Sequence, residues 1–356
     1  MSRKRKNRDL DSFLIDTLDA DPRRLNYPQK VRQALLVRSL SEKEISETFG
    51  LRPGEVEELL GDYKAAGANL VLQAGRWRID RHLAPDSETV WTVKGKANEP
   101  YRFGLVADTH IGSKHCRLDV LDDLYDWFAR EGITRVYHAG NWIEGEARFN
   151  KHELDDRAHG MQAQLDLMVE LYPHRRGIET HYVSGDDHEG WYSQREGVDI
   201  GRMLQDTARR AGRNDLVSLG YKECFITLEH PKTKRHARML IDHPGGGSAY
   251  AISYAAQKRI EAAQGGEKPA IWAFGHWHKH GYFQARNVHA ILVPCTKDLD
   301  TFGRKKGLEY HVGGVIIEAE QHEGGAITQL TPRFRMYYDR GYYNQQYNLS
   351  GPVAKR

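Results

Sequence analysis

The stretch Phe103-Gly104-Leu105-Val106-Ala107-Asp108-Thr109-His110 decides how this chain can fold. It is a short apolar run that ends on an acidic residue and a histidine. Short apolar runs bounded by polar residues are typical of buried strands, and in open α/β sheets the ligand site lies beyond the carboxyl ends of such strands. The stretch therefore predicts a buried strand that carries Asp108 and His110 to one edge of a sheet.

Four further apolar runs end on polar residues in the same way. The runs 133–139, 181–183, 238–241 and 271–274 are followed within a few residues by Gly140-Asn141, Asp186-Asp187-His188, Asp242-His243 and His276-Trp277-His278. Carboxylate, amide and imidazole groups from several strands would therefore meet at one edge. These ligands suit Mn, Fe or Zn and contain too much nitrogen for a dedicated Ca or Mg site. Alternation of the strands with amphipathic helical segments predicts an α/β fold.

The five polar blocks resemble the motifs of the calcineurin-like metallophosphoesterases. That family has D-x-H, then G-D, then G-N-H-[DE], then a lone His, then G-H-x-H. The chain contains, in this order, Asp108-Thr109-His110, Gly140-Asn141, Gly185-Asp186-Asp187-His188-Glu189, His243 and Gly275-His276-Trp277-His278. The resemblance implies a two-sheet α/β sandwich over residues 99–330 that holds two divalent metal ions. Mn is the first expectation, with Fe, Zn or Mg as alternatives.

The resemblance also implies a role for each matching residue. The first metal would be held by Asp108, His110, Asn141 and His278. The second metal would be held by Asn141, Asp187, His243 and His276. His188 would act near the leaving group, where an imidazolium can donate a proton, and Glu189 would orient it.

Two positions depart from the family pattern. Asn141 stands where the family has the Asp that bridges the two metals, and Asp187 stands where the family has an Asn. Two carboxylates, Asp108 and Asp187, still remain for a dinuclear centre. A neutral amide is nevertheless a poor bridge between two cations. The additional acidic residue Asp186 makes the alignment ambiguous by one position, so Asp186 is an alternative to Asp187.

A small module precedes this domain at residues 26–82. Amphipathic stripes predict three short helices, the second of which begins at Ser41 with Glu44 in the capping-box position. The runs 70–72 and 77–79 flank a turn and predict a hairpin. This order resembles a winged helix-turn-helix domain. We expect a basic, polar tail at 1–25 before it and a connector at 83–98 after it.

Candidate contacts to nucleic acid follow from charge and aromatic content. The third helix, which enters the major groove in DNA-binding winged helices, is acidic here, so a module that contacts protein is an equal alternative. The remaining candidates are Arg76, Arg78 and Arg81 of the hairpin, Trp142, Trp191 and Trp277 near the metal ligands, and Arg333 and Arg335. The last two belong to an Arg/Tyr-rich tail at 331–356, which suits single-stranded nucleic acid or, equally, packing on the catalytic domain.

Composition excludes several other classes of protein. The 356 residues are 28% charged and 39% hydrophobic, which is ordinary for a globular chain and excludes global disorder. No apolar run approaches the length of a membrane span, and the N-terminus lacks the apolar core of a signal peptide, so we expect a cytoplasmic protein. Cys116, Cys224 and Cys295 have no paired spacing, which argues against a disulfide framework. The net charge of +3 is too small to indicate nucleic acid by itself.

Three functions remain open at this point. The first is a metal-dependent phosphodiesterase that acts on nucleic acid, with DNA preferred over RNA. The second is a small-molecule phosphodiesterase or a phosphoprotein phosphatase, since the fold hosts all of these. The third is an inactive DNA-binding regulatory protein in which Asn141 has cost the site its activity. Members of the family often dimerise, which leaves a homodimer open as well.

Overall fold

A computed structural model describes residues 27–65, 70–79, 91–146, 156–247, 249–264 and 268–337. The chain divides into two compact units, Met1–Ser87 and Glu88–Arg356. Among the described residues, no helix is long and apolar enough to cross a membrane. The predicted tail at 1–25, Arg81 of the predicted hairpin and the residues after 337 lie outside the described ranges.

The first unit contains three helices followed by a hairpin. Its elements are α1 (Tyr27–Val37), α2 (Glu42–Phe49), α3 (Pro53–Ala65), β1 (Leu70–Gln73) and β2 (Arg76–Ile79). The Ser41 hydroxyl accepts a hydrogen bond from the Glu44 amide, and the Glu44 carboxylate accepts one from the Ser41 amide. This is the predicted capping box, which satisfies two amides that the helix itself cannot. The three helices and the hairpin are confirmed, whereas their assignment as a winged helix-turn-helix stays a prediction.

The second unit contains two six-stranded sheets. The first sheet has the spatial order Ile327–Tyr337 (β14), Val312–Gln321 (β13), Tyr101–Val106 (β4), Arg135–Ala139 (β5), Glu179–Ser184 (β6) and Leu216–Tyr221 (β7). The second sheet has the order Gly281–Ala285 (β11), Val288–Leu292 (β12), Ile271–Phe274 (β10), His236–Asp242 (β9), Glu223–Glu229 (β8) and Trp91–Lys94 (β3). Strands β4 to β7 are parallel, as are β9, β10 and β12. Parallel neighbours end at the same edge of their sheet.

Alternating side chains of the central strands enter two different cores. In β4, Phe103 and Leu105 pack between the two sheets, against Ile241 and Ala273 of the second sheet. Val106 points the other way, into the core beneath the helices. Helices α4 (Leu118–Arg130), α5 (Met161–Leu171) and α7 (Ile200–Arg210) contribute to that core, and α8 (Tyr254–Ala262) packs on the other sheet. The predicted two-sheet α/β sandwich is confirmed. Two shorter helices, α6 (Gly190–Glu196) and α9 (Thr301–Lys306), complete the unit.

Two predicted boundaries differ from the structure. Part of the expected connector at 83–98 is strand β3, because Trp91 and Val93 pack on the core between the sheets while the strand pairs with β8. The expected tail at 331–356 begins inside strand β14, which pairs with β13 as far as Tyr337. For residues 331–337, packing on the catalytic unit is therefore the correct alternative.

Candidate metal centre

The backbone is left-handed at five of the predicted metal ligands. The φ angles are 50° at Asp108, 47° at His110, 52° at Asn141, 75° at His276 and 53° at His278. Non-glycine residues seldom adopt this conformation, although Asn, Asp and His tolerate it best. Each such residue costs roughly 1–3 kcal/mol and persists only where the surrounding structure fixes it. The loops that follow β4, β5 and β10 therefore hold their side chains in a strained, specific arrangement.

The first group of ligands, here the first triad, consists of Asp108, His110 and His278. Oδ1 of Asp108 lies 3.5 Å from Nε2 of His278 and 3.9 Å from Nε2 of His110. The two Nε2 atoms are 3.2 Å apart. All three side chains are buried. The loops after β4 and β10 thus bring one oxygen and two nitrogens to a common point.

The second triad consists of Asp187, His243 and His276. The Asp187 carboxylate lies 3.6 Å from Nε2 of His243 and, through its other oxygen, 3.6 Å from Nδ1 of His276. These two nitrogens are 3.2 Å apart. The two triads are adjacent, because the amide of His276 donates a hydrogen bond to Oδ2 of Asp108 at 2.9 Å.

The spacing within each triad fits a bound metal ion. Ligand atoms that bind one ion at about 2.1 Å lie about 3 to 3.5 Å from one another. The distances within both triads are close to this range. Within the part of the chain that the structure describes, Asp108 Oδ1, Asn141 Oδ1 and Asp187 Oδ1 are among the buried side-chain oxygens that accept no hydrogen bond. Buried oxygens left without a partner are costly unless a cation satisfies them.

Asn141 directs its side-chain oxygen into tightly occupied space. A Cβ atom at Gly185 would lie 2.3 Å from Oδ1 of Asn141, and one at Gly140 would lie 2.4 Å from Nδ1 of His243. Both glycines are therefore required for the close approach of these loops. The backbone amide of Asn141 donates to Oε1 of Glu189 at 2.8 Å, which fixes the residue from behind. The amide oxygen thus lies between the loops that carry the triads, and its role as a metal ligand stays a prediction.

The structure separates the two candidate acidic residues after β6. Asp187 belongs to the second triad, whereas Asp186 forms an ion pair with Lys222 at 2.7 Å. Its carboxylate also lies close to Gly245. The alignment that assigns Asp187 to the metal and leaves Asp186 outside it is therefore the one that the geometry supports.

His188 lies beside the first triad, but Glu189 does not orient it. The ring of His188 is 4.3 Å from the ring of His110, and its Nδ1 is hydrogen-bonded to the carbonyl oxygen of Glu144. Glu189 is fully buried and accepts hydrogen bonds from the amides of Asn141 and Gly185. The predicted role of Glu189 is thus corrected: its carboxylate ties together two loops that carry ligands.

Glu144 is a site residue that the sequence did not reveal. Its Oε2 lies 3.1 Å from Nδ1 of His110, and with His110 and His188 it forms a further group of potential ligands. Lys297, only 2% exposed, holds the same carboxylate at 2.9 and 3.0 Å and pairs with Asp300 at 2.7 Å. The position of Glu144, three residues after Asn141, was a usable signal. Lys297 lies 153 residues further along the chain and offered none.

Charge within the centre shifts several pKa values. Burial would lower the pKa of His243, but the carboxylates of Asp187, Asp108 and Glu189 raise it to about 9. Burial would raise the pKa of Asp187, but the neighbouring histidines lower it well below its usual value. Burial raises the pKa of Glu189 to about 7. The centre therefore holds ionised Asp187 against several imidazoles, which favours the charge of a cation in the same place.

A cleft of about 400 Å³ is lined by two residues of each triad: His110 and His278 of the first, and Asp187 and His276 of the second. Trp277 also lines it, as predicted for a residue beside the ligands. Trp142 is completely buried in the core beneath the helices, and Trp191 packs on that core with the Arg195 guanidinium 4.0 Å from its ring centroid. Neither ring lines the cleft, because Trp142 is enclosed in the core and Trp191 packs on that core beside Arg195.

Three of the predicted nucleic-acid contacts are engaged within the chain. Arg76 pairs with Glu44 at 2.8 Å, Arg333 forms a bidentate pair with Glu131 at 2.7 and 2.9 Å, and Arg335 pairs with Asp123 at 2.7 Å. Their charges are therefore neutralised locally, which weakens the case for phosphate contacts at these positions. Arg78 is exposed in strand β2.

Comparison with known proteins adds fold-level similarity only. No family model and no curated protein matches the chain. Similar solved structures include an archaeal phosphodiesterase, at 14% identity over 67% of this chain and 100% of that chain, with a TM-score of 0.35. A predicted phosphoesterase of Streptococcus pneumoniae TIGR4 matches at 12% identity over 68% and 100%, with a TM-score of 0.31. Zinc-bound Vps29 of Entamoeba histolytica matches at 11% identity over 67% and 100%, with a TM-score of 0.29. At these values the matches carry no argument about function, which has to come from the site.

Proposed function

We propose that the chain is a metal-dependent phosphodiesterase that acts on nucleic acid, with DNA preferred over RNA. The proposal rests on one observation: two adjacent Asp-His-His triads each contribute two residues to one cleft, with the His188 ring 4.3 Å from the His110 ring. A phosphodiester is hard to hydrolyse because an anion repels the nucleophile and the alkoxide leaves poorly. Two cation sites next to a proton donor address both difficulties.

The first triad would hold one divalent ion and the second triad another, with Asn141 between them. We infer Mn first, with Fe, Zn or Mg as alternatives, because the donors are carboxylate and amide oxygens and imidazole nitrogens. When bound, such ions supply a water of lowered pKa and neutralise the phosphate oxygens.

The other side chains have roles that follow from their contacts. Nδ1 of His188 donates to the Glu144 carbonyl, so Nε2 is the nitrogen that can give a proton to the leaving oxygen. The Glu144 carboxylate beside Nδ1 of His110 favours the tautomer in which Nε2 of His110 presents a lone pair to the metal. Glu189 keeps the ligand loops together through its hydrogen bonds to the amides of Asn141 and Gly185.

A small-molecule phosphodiester is the second candidate substrate. The cleft of about 400 Å³ accommodates one ligand of nucleotide size, and Arg76, Arg333 and Arg335 are paired within the chain. For nucleic acid, this leaves recognition to the residues of the cleft. A phosphoprotein phosphatase has no comparable observation in its favour.

The test is cleavage by protein loaded with Mn, together with elemental analysis of the same sample. Substrates are single-stranded DNA, duplex DNA, RNA and bis-p-nitrophenyl phosphate, and Asp108→Ala is the control. We expect about two ions per chain and DNA cleavage that the control lacks. Turnover of bis-p-nitrophenyl phosphate without cleavage of any nucleic acid would support the second candidate. Less than about one ion per chain and no turnover would leave the inactive regulatory protein.

A further inference from the structure

One wall of the cleft is not used by the phosphodiester chemistry. It consists of Phe302, Lys306, Leu308 and Tyr310. Phe302 and Lys306 belong to helix α9 and are four residues apart, so they project from the same face of that helix. Helix α9 ends with the basic residues 304–306, of which Lys306 is the one that lines the cleft. The wall therefore combines apolar and aromatic surface with a single cation.

The wall is fixed rigidly to the metal centre. The Asp300 carboxylate accepts a hydrogen bond from the amide of Gly303 at 2.7 Å, which caps helix α9, and another from the Tyr310 hydroxyl at 3.3 Å. The same carboxylate pairs with Lys297, which pairs in turn with Glu144 beside the first triad. A continuous set of buried polar contacts thus sets the distance between the wall and the ligands. Such support is what a preorganised recognition surface requires.

We propose that this wall is the subsite for the nucleoside adjacent to the scissile phosphate. The base stacks on Phe302 next to Tyr310, and Lys306 pairs with the next phosphate along the strand. This inference rests on the proposed phosphodiesterase function and specifies its substrate class as a nucleotide chain. A base offers a π-face of the kind that aromatic side chains recognise, and a Lys ammonium is a point charge suited to a phosphate.

The chemistry of the wall discriminates between possible substrates. A phosphate ester of a small polar alcohol would leave the Phe302 ring and the Leu308 side chain in contact with water. An ester with an apolar ring but no second anion would not use Lys306, which is exposed and lines the cleft. A nucleotide with phosphates on both sides of its sugar satisfies both features at once.

The test measures binding of three ligands to Mn-loaded protein by isothermal titration calorimetry. The ligands are thymidine 3′,5′-bisphosphate, thymidine 5′-monophosphate and 2-deoxyribose 5-phosphate, none of which contains a phosphodiester. We expect wild-type protein to bind the bisphosphate severalfold more tightly than the monophosphate. Lys306→Ala should abolish that difference, whereas Lys305→Ala, the neighbouring lysine outside the cleft, should preserve it.

The base is tested with Phe302→Ala and Phe302→Leu. Each should weaken binding of both thymidine ligands, by about tenfold for the alanine variant, and leave 2-deoxyribose 5-phosphate unchanged. Phe302→Leu retains apolar volume but removes the ring, so it separates stacking from packing, and thermal unfolding establishes that both variants fold. Equal losses for Lys305→Ala and Lys306→Ala, or an equal loss for the ligand without a base, would overturn the subsite.

Hydrolysis of bis-p-nitrophenyl phosphate by the same samples separates this inference from the proposed function. Turnover by wild-type protein without the expected ligand discrimination overturns the subsite alone. Ligand discrimination without turnover of any diester overturns the phosphodiesterase and retains a nucleotide-binding wall.

Discussion

The two triads have the same composition but are held in different ways. Each has one aspartate and two histidines. In the first triad, Nδ1 of His110 lies 3.1 Å from the Glu144 carboxylate, which is paired with buried Lys297. In the second triad, the histidines contact backbone carbonyls, His243 that of Ala139 and His276 that of Gly246, both at 2.7 Å. The Asp187 side chain is also 22% exposed, whereas that of Asp108 is fully buried.

The difference shows two ways to orient an imidazole. A backbone carbonyl fixes the ring and its tautomer without adding charge. A carboxylate does the same and also raises the basicity of the ligand, but it must itself be neutralised when it is buried. The first triad therefore depends on charges far away in the sequence, and the second depends mainly on the path of the backbone.

The largest expected effect is on stability. Lys297→Met leaves Glu144 and Asp300 buried without their cation, which should lower the free energy of unfolding by about 3–5 kcal/mol. Lys222→Met removes the partly exposed pair with Asp186 near the second triad and should cost about 0–1 kcal/mol. Guanidinium unfolding followed by near-UV circular dichroism measures both. Equal losses would mean that the two triads do not differ in their dependence on buried charge.

Separate substitutions of the two neighbouring acidic residues test which of them belongs to the second triad. Asp187→Asn should reduce phosphodiesterase activity by more than about 100-fold. Substitution of a residue that only orients a metal ligand lowers activity by about 10–100-fold, and loss of the ligand itself should lower it further. Asp186→Asn, which breaks only the pair with Lys222, should retain most activity. Initial rates with bis-p-nitrophenyl phosphate provide the comparison. A greater loss in Asp186→Asn would reverse the assignment of the ligand.

Glu144→Gln tests the carboxylate behind the first triad. The change should weaken Mn binding at one of two sites by about 10–100-fold and leave the other site unchanged. Glu146→Gln is the matched control, since Glu146 is hydrogen-bonded to Gly160 and Tyr192 and does not line the cleft. Calorimetric titration with Mn resolves the two affinities. A uniform loss at both sites would contradict the proposed asymmetry.

The smallest expected effect is at Asn141, the proposed shared ligand of the two metals. Asn141→Asp adds a carboxylate to a centre that already holds two, so the metal-free protein should become less stable. The metal-bound protein should gain, with Mn bound about tenfold more tightly, because the attraction between the added carboxylate and the ion is largely offset by the burial of that carboxylate. The difference between the unfolding temperatures with Mn and with chelator measures this gap in stability between the metal-bound and metal-free protein. A gap equal to that of wild-type protein would place Asn141 outside the centre.

Local sequence patterns predicted the elements that present the site. The apolar run of β4, the capping box at Ser41 and the order of the five polar blocks all depend on neighbours within a few positions, so they are visible without a structure. The boundaries were less accurate. Strand β3 forms through pairing with β8, which is distant in the sequence, and the end of β14 lies far from its hairpin turn, opposite Val312 of β13; local propensity reports neither pairing.

The sequence by itself determined the residue types at the strand ends and their order, because strand periodicity and residue chemistry are local properties, and the resemblance of these motifs to a known family implied the two-sheet sandwich. Only the tertiary structure decided which of Asp186 and Asp187 joins a triad, that Trp142 is buried, that Arg333 is neutralised and that Lys297 lies beneath Glu144. Burial and ion pairing depend on distances through space between residues such as Arg333 and Glu131, which are 202 positions apart in the sequence. No pattern along the chain encodes those distances, so the surroundings of the ligands became visible only when the strands were assembled into sheets.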